Sequence, residues 1–270
     1  MLTNDEKETL IIELGIDYHK ILSNINGSVV ACLISHEHSD HLYKDNDKKL
    51  EIFFPILKPQ YNLIGLPYTF GHYKVTPLQA KHDVECNAYL IECDNKTILF
   101  ATDTYEIPKV PQMVDVFLIE INHIEKMVLD KLAIDESIYL KRALTSHSSL
   151  ERTSEYFKEL EYKPEFIHII HASSTEGNID KNVVLKELKQ YCDKVDFAQE
   201  GEIIDFWCRV WKVMYHTRHK RKNGKARTRF KRVPSVRNKR YKRAFAYWRL
   251  CLARWLVNCN RYQTRFIWSY

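Results

Sequence analysis

The chain has 270 residues, a length that suits one large domain with an appendage. It contains no N-terminal apolar h-region and no apolar run of about eighteen residues, which argues against a secreted or membrane-spanning protein. Its seven cysteines include no Cys-x-x-Cys pair, a pattern that favours reduced thiols, so we expect a cytoplasmic protein.

The formal net charge of +6 combines two segments of opposite sign. Residues 1–205 contain 21 lysines and arginines and all 35 acidic residues, which gives a net charge of −14 (21 minus 35). Residues 206–270 contain 20 lysines and arginines, no acidic residue and all five tryptophans. We therefore predict a domain over 1–205 and a basic, Trp-rich extension over 206–270.

The first predicted elements lead to a histidine-rich turn. Residues 8–14 have the composition of a strand that ends before Gly15, and helical spacing follows over 18–25. The apolar run at 29–34 then predicts a buried strand. In an open α/β sheet, functional groups lie at the carboxyl ends of strands, which is where the next residues would stand.

The histidine motif (residues 36–41) places four potential metal ligands directly after that strand: His36, His38, Asp40 and His41. Alternate residues on an extended segment point the same way, so the first two could hold one ion. Past the bend, the other two would face a second ion. Imidazole with carboxylate suits zinc first, with manganese or iron as substitutes. A polar turn that caps the following helix is the alternative interpretation.

After residue 42 the pattern is weak until about residue 70, and we expect connectors with one short helix. Further strands are predicted over 73–78, 88–93, 97–101, 114–121, 166–170 and 195–197. Helices are predicted over 125–144, over a segment capped by 146–149 with Glu151 in its first turn, and over 182–192. Early strands follow one another and later strands alternate with helices, which predicts an α/β fold of mixed sheets covered by helices.

The histidine motif, His-x-His-x-Asp-His, resembles the signature of the metallo-β-lactamase superfamily. Over about residues 8–205 the resemblance implies a four-layer αββα sandwich. Superfamily members usually begin with another strand, and only seven residues precede residue 8, so we expect the sheet to lack its first strand. Where the superfamily commonly has an aspartate before a glycine, this chain has Glu13-Leu14-Gly15.

Three further candidate ligands follow strands in the order that the superfamily uses: His82, Asp103 and His171. The resemblance implies that His82 completes a first site with the first two histidines of the motif, and that His171 completes a second site with Asp40 and His41. Asp103 would bridge both ions. Taken singly, each is more often a turn, capping or core residue, and it is their joint order that indicates ligands.

A catalytic acid is suggested by residues 146–150, Ser-His-Ser-Ser-Leu, which resemble the His-Ser/Thr element of tRNase Z and related nucleases. The resemblance implies that His147 protonates the leaving group and that Glu120 orients its ring. We count Asp40, His147 and Glu120 as the candidate catalytic residues.

The leading hypothesis is a dinuclear-metal hydrolase that cleaves phosphodiester bonds, most simply a nuclease on RNA or DNA. It would use a hydroxide that bridges two zinc ions, with His147 as acid. One alternative is a hydrolase of the same fold that acts on a small phosphodiester such as a cyclic nucleotide, or on a thioester or lactam. Another is a non-catalytic nucleic-acid-binding protein that acts through the extension. A homodimer is an open possibility in each case.

The extension carries lysine and arginine clusters separated by aromatic residues, a pattern that would bind phosphates and stack on bases. The candidate nucleic-acid-binding residues are Arg218, Lys220, Arg221, Lys222, Arg229, Lys231 and Arg232. Apolar spacing favours an amphipathic helix over 241–257, with disorder as the alternative. The extension could instead contact an anionic membrane surface, or have no selected role.

Overall fold

The computed structural model describes residues 1–25, 27–205 and 212–214, with the backbone alone for 203–205 and 212–214. The candidate nucleic-acid-binding residues of the extension, and the helix predicted over 241–257, lie outside the described residues. Among the helices that are described, none has both the length and the hydrophobicity that crossing a bilayer requires.

The first sheet has four strands in the order β1-β2-β3-β4. They are β1 (Leu2–Thr3), β2 (Glu8–Ile12), β3 (Ser28–Leu33) and β4 (Ile56–Leu57). Strand β1 is antiparallel to β2, and the other pairs are parallel. The apolar run that precedes the histidine motif therefore forms an interior strand, as predicted.

The first strand corrects one expectation, because the sheet does not begin at residue 8. Leu2 pairs with Leu10 and is fully buried, so a strand of two residues precedes β2. Two residues are too few to show an alternating pattern, so no local pattern predicted this strand.

The second sheet has seven strands in the order β11-β10-β9-β8-β7-β6-β5. They are β5 (Tyr68–Phe70), β6 (Tyr73–Ala80), β7 (Cys86–Cys93), β8 (Lys96–Ala101), β9 (Val116–Glu120), β10 (Phe166–His171) and β11 (Val195–Phe197). Neighbours from β5 to β8 are antiparallel, and those from β8 to β11 are parallel. Two short strands, β12 (Ile203–Asp205) and β13 (Lys212–Met214), pair with each other.

Within the described residues, six α-helices connect these strands: α1 (Tyr18–Ser23), α2 (Asn46–Leu50), α3 (Glu125–Leu132), α4 (Ile138–Ser146), α5 (Leu150–Lys158) and α6 (Lys181–Leu188). The single helix predicted over 125–144 is wrong, since α3 and α4 are separate. Ser137 has extended backbone angles at the start of α4. The polar residues at 135–137 compete for backbone hydrogen bonds, which favours helix ends over a helix interior.

Three apolar clusters define four layers. One cluster lies between the sheets and contains Leu10 and Leu33 of the first sheet with Val116 and Leu118 of the second. A second cluster packs the other face of the second sheet against α5 and α6, and a third packs α1 and α2 on the first sheet. The predicted αββα sandwich is therefore confirmed. Strand β9 is buried on both faces, which explains its apolar run over 116–119.

Candidate metal centre

The predicted site residues follow strands of both sheets. The histidine motif follows β3, His82 follows β6 and Asp103 follows β8, while Glu120 and His171 end β9 and β10. Strands β6, β8, β9 and β10 run in the same direction, so their carboxyl ends meet at one edge of the second sheet. The fold thereby gathers residues that are up to 135 positions apart in the sequence (171 minus 36).

Three histidines form the first group, with donor atoms within 4.8 Å of one another: His36, His38 and His82. The Nδ1 atom of His38 lies 2.9 Å from His36 Nε2 and 3.4 Å from His82 Nε2. Three ring nitrogens thus converge on one point, an arrangement that suits a cation with imidazole ligands.

The opposite ring nitrogens of this group are held by protein groups. Ser35 Oγ lies 2.9 Å from His36 Nδ1, and the Ser146 carbonyl lies 2.9 Å from His82 Nδ1. Because a carbonyl only accepts, His82 donates through Nδ1 and presents the lone pair of Nε2 to the group. Burial lowers the pKa of His36 to about 2, so that ring is neutral and able to bind a metal.

A second group contains Asp40, His41 and His171, again with donor atoms within 4.8 Å. Asp103 stands between the two groups: its Oδ2 lies 2.5 Å from His41 Nε2, and its Oδ1 lies 3.6 Å from His171 Nδ1. A further set, His36, His41 and Asp103, also has donor atoms within 4.8 Å of one another. The two groups therefore form one cluster.

The charge state of Asp103 is set by its imidazole neighbours. Burial alone would raise the pKa of this carboxyl group, but the rings of His171 and His41 hold it well below its usual range. Burial likewise opposes charge on His41, yet Asp103 and Glu13 raise the pKa of that ring. The cluster therefore contains a buried anion that attracts positive charge.

Glu120 joins the predicted acid to the second group. Its Oε1 accepts hydrogen bonds from His147 Nδ1 at 2.7 Å and from His171 Nδ1 at 2.8 Å. Its Oε2 accepts from the backbone N–H groups of Thr104 at 3.1 Å and Ser148 at 3.4 Å. The Asn122 side-chain amide also donates to Oε1 at 3.2 Å, and five donors on one buried carboxylate keep it anionic and fix the planes of both rings.

The same contacts favour the charged form of His147. Although burial disfavours a charged ring, the Glu120 carboxylate and a hydrogen bond to Asp103 raise the pKa of His147 to about 10. Its ring centroid lies 5.0 Å from that of His82 and 6.1 Å from that of His171. A protonated imidazole therefore stands beside both groups at neutral pH.

Two carboxylate residues of the site have left-handed backbones, Glu13 with φ 66° and Asp103 with φ 45°. Such strain in residues other than glycine is concentrated at functional sites. Glu13 Oε1 accepts from the Ser35 N–H at 3.2 Å, and Oε2 lies 3.5 Å from His41 Nδ1. The glutamate found in place of the usual aspartate thus lies directly against the histidine motif.

Gly15 packs directly against the backbone of the histidine motif. A Cβ at this position would lie 1.6 Å from the Asp40 carbonyl oxygen and 2.4 Å from the carbonyl carbon. We expect Gly15→Ala to displace the motif loop, to weaken zinc binding and to lower the free energy of unfolding by about 1–3 kcal/mol. Urea unfolding and zinc titration would measure both effects. Gly65→Ala is the control, since its added Cβ meets no atom within 4 Å although φ is +77°. Equal zinc affinity in the two variants would contradict the prediction.

A cleft of about 880 Å³ opens beside the cluster. Its walls include His147, Tyr139 and Arg142 from the α4 segment, Lys131 from α3 and a Ser/Thr-rich loop at 173–175. This volume lies within the range of ligand sites and could admit a small molecule or a segment of a polymer.

Asp83, which the sequence did not indicate, contacts the first group, and Arg142, which it also did not indicate, contacts Asp83. Asp83 Oδ1 lies 2.9 Å from His82 Nε2 and 3.5 Å from His38 Nε2, and Asp83 Oδ2 lies 2.6 Å from an Arg142 guanidinium nitrogen. Asp83 is adjacent to His82 in the sequence, which is a weak signal, whereas nothing in the sequence marks Arg142.

Comparison with known proteins supports the fold at low sequence identity. No protein-family model and no curated protein matches the chain. The metallo-beta-lactamase fold protein YhfI from Bacillus subtilis is similar in structure, with 16% identity, a TM-score of 0.52, and coverage of 72% of this chain and 85% of that chain. Zn(2+)-bound PqqB from Methylobacterium extorquens is similar with 9% identity, a TM-score of 0.51, and coverage of 73% and 84%.

Proposed function

Because this chain has the metallo-β-lactamase fold, we propose that it is a metal-dependent hydrolase that cleaves phosphodiester bonds. The observation that carries the proposal is the cluster at the strand ends, where three imidazole nitrogens converge beside a buried carboxylate and a His–Glu pair. Fold alone does not define a reaction, so we infer the reaction from the chemistry of these side chains.

The residues present fit two divalent cations. His36, His38 and His82 would hold the first, while Asp40, His41 and His171 would hold the second, with Asp103 between them. This mixture of imidazole and carboxylate donors suits zinc, and manganese or iron would accept the same set. Such ions, when bound, would supply an activated water and a Lewis acid at the scissile phosphate.

The protein itself would supply the proton for the leaving oxygen. His147 bonds to Glu120 through Nδ1, so Nε2 is the nitrogen that can face a substrate in the cleft. Glu120 fixes the tautomer and favours the charged ring, which would pass its Nε2 proton to the departing alkoxide. A sugar alkoxide is a poor leaving group, so this proton matters most for a phosphodiester of that kind.

For the substrate we propose RNA or DNA. The support lies in the 20 lysines and arginines of residues 206–270, which would add affinity for a polyanion, and in Arg142 and Lys131 at the cleft. The cleft volume of about 880 Å³ also suits a small phosphodiester such as a cyclic nucleotide, which is the second candidate. Assays of the full chain on labelled RNA, labelled DNA and cyclic nucleotides would separate the two.

We expect the purified protein to bind two zinc ions per chain and to be stabilised by them. At a free zinc concentration of roughly 100 times Kd, each ion would add about 2.7 kcal/mol to the free energy of unfolding. His82→Ala should lose one ion and its share of the stabilisation. Metal analysis after gel filtration, and thermal unfolding with and without chelator, would measure this.

The matched control is His72→Ala, which removes an exposed histidine that bonds to Glu8 at 3.0 Å, away from the cluster. This variant should keep both ions. A wild-type chain that binds no zinc, manganese or iron and hydrolyses no phosphodiester would overturn the proposed function.

A further inference from the structure

Helix α4 contacts the turn that carries His82 and Asp83 at two points. The Ser146 carbonyl lies 2.9 Å from His82 Nδ1, and an Arg142 guanidinium nitrogen lies 2.6 Å from Asp83 Oδ2. Arg142 and Ser146 are four residues apart and therefore share one face of the helix. That face packs on the turn that carries His82 and Asp83.

The other oxygen of Asp83 faces His38 from outside the cluster. Asp83 Oδ1 lies 3.5 Å from His38 Nε2, whereas His38 Nδ1 points toward the nitrogens of His36 and His82. Among the described residues, Asp83 belongs to none of the groups whose donor atoms lie within 4.8 Å of one another. Its carboxylate thus approaches the His38 ring from the Nε2 side, opposite Nδ1.

Asp83 Oδ1 also lies 2.9 Å from His82 Nε2. That nitrogen carries the lone pair that a cation would need, because His82 donates through Nδ1 to the Ser146 carbonyl. The contact with His82 would therefore give way when a cation binds. Arg142 and His38 would remain as the partners of the carboxylate.

We propose that Asp83 and Arg142 form a positioning pair that sets the metal affinity of the first site. When the contact with His82 gives way, Asp83 accepts the Nε2–H of His38, which now lies 3.5 Å from Oδ1, and the Nδ1 lone pair is left for the cation. Arg142 holds the carboxylate in place by a charge-assisted hydrogen bond. The inference rests on the proposal that His36, His38 and His82 hold an ion. It also ties that ion to α4, the helix that ends at His147.

The test is a zinc competition titration of the full chain, with cobalt absorption spectra as a second readout. Asp83→Asn should weaken one of the two binding steps by about 10–100-fold and leave the other unchanged. Arg142→Ala should weaken the same step, and the double variant should add little to Asp83→Asn alone. Asp83→Glu and Arg142→Lys should restore part of the affinity, and the cobalt spectrum of the first site should shift in Asp83→Asn.

Lys141→Ala is the matched control. It removes a positive charge from the same helix, where Lys141 pairs with Glu136 at 3.6 Å and both side chains are exposed. This variant should keep both zinc affinities. Urea unfolding of the metal-free forms should show that Asp83→Asn folds like the wild type, since Asp83 is 35% exposed at its side chain.

Three results would overturn the inference: unchanged zinc affinity in Asp83→Asn, equal weakening of both steps, or an equal loss in Lys141→Ala. A wild-type chain that binds two zinc ions but hydrolyses no phosphodiester would instead refute the proposed function and leave this inference standing. A wild-type chain that binds no metal would refute both.

Discussion

Replacement of His147 by alanine is expected to lower kcat for RNA or DNA cleavage by about 10²–10⁴-fold while both zinc ions stay bound. The reason is that the variant loses the proton that Nε2 would give to the leaving alkoxide, whereas the ligand groups are untouched. Glu120 holds this ring at 2.7 Å, so Glu120→Gln should lose much of the same rate. Because the two residues act as a unit, the double variant should lose little more than His147→Ala. Steady-state kinetics with metal analysis would measure these effects.

The choice of substrate provides the control for His147. A bis-aryl phosphate has a leaving group that departs without help from an acid, so His147→Ala should cost much less rate on that substrate. A rate loss of equal size on aryl and nucleic-acid substrates would contradict the assignment of His147 as the leaving-group acid. Loss of zinc from the variant would show that the residue serves the metal sites instead.

Replacement of Asp103 by asparagine is expected to have the largest effect on the metal centre. This carboxylate lies 2.5 Å from His41 Nε2, 3.1 Å from His147 Nδ1 and 3.6 Å from His171 Nδ1. Without it, charged rings remain buried beside a neutral amide, which costs about 3–5 kcal/mol in the free energy of unfolding of the metal-free protein. The second zinc ion should be lost, and hydrolysis should fall by about 10³-fold or more.

The pH dependence of the metal-free protein gives an independent check of this charge network. The pKa of Asp103 is held well below its usual range, so its stabilisation is present above the ordinary aspartate value and is lost as pH falls through the lowered pKa. The pKa of His147 is raised from 6.5 to about 10, so its stabilisation is complete below 6.5 and is lost as pH rises toward 10. Urea unfolding across pH in the presence of chelator should show that the wild type is most stable between the ordinary aspartate pKa and pH 6.5. The gain in unfolding free energy over this range should be smaller in Asp103→Asn.

The control for Asp103 is Asp135→Asn, an equal change of charge at an exposed position that lines the same cleft. This variant should keep two zinc ions and its unfolding free energy. Retention of both ions by Asp103→Asn would contradict the bridging position that we propose for this residue.

Those parts of the fold with strong local patterns were predictable from the sequence. Residues 31–34 and 116–119 are buried on both faces of their strands, and such burial leaves a continuous apolar sequence. The histidine motif was predictable as a site because its spacing has few structural explanations. The family resemblance supplied His82, Asp103 and His171, and the structure brings all three beside the motif.

Other features carried no local signal. Strand β1 has two residues, and the break between α3 and α4 depends on the backbone at Ser137. The contact between Asp83 and Arg142 joins residues that are 59 positions apart (142 minus 83). It exists only because α4 packs on the turn after β6. The interpretation of the basic extension stays a prediction, because its candidate nucleic-acid-binding residues lie outside the described ranges.

The position of His171 at the end of β10 has a consequence for how the protein is made. During synthesis the first histidine group is present in the nascent chain once residue 82 has left the ribosome, long before the strand that completes the second group. Strand β10 pairs with β9, so the proposed second site closes only after nearly the whole domain has folded. Loading of the proposed second ion would therefore be a late event, and a chain that is cut short before residue 171 would retain at most one metal.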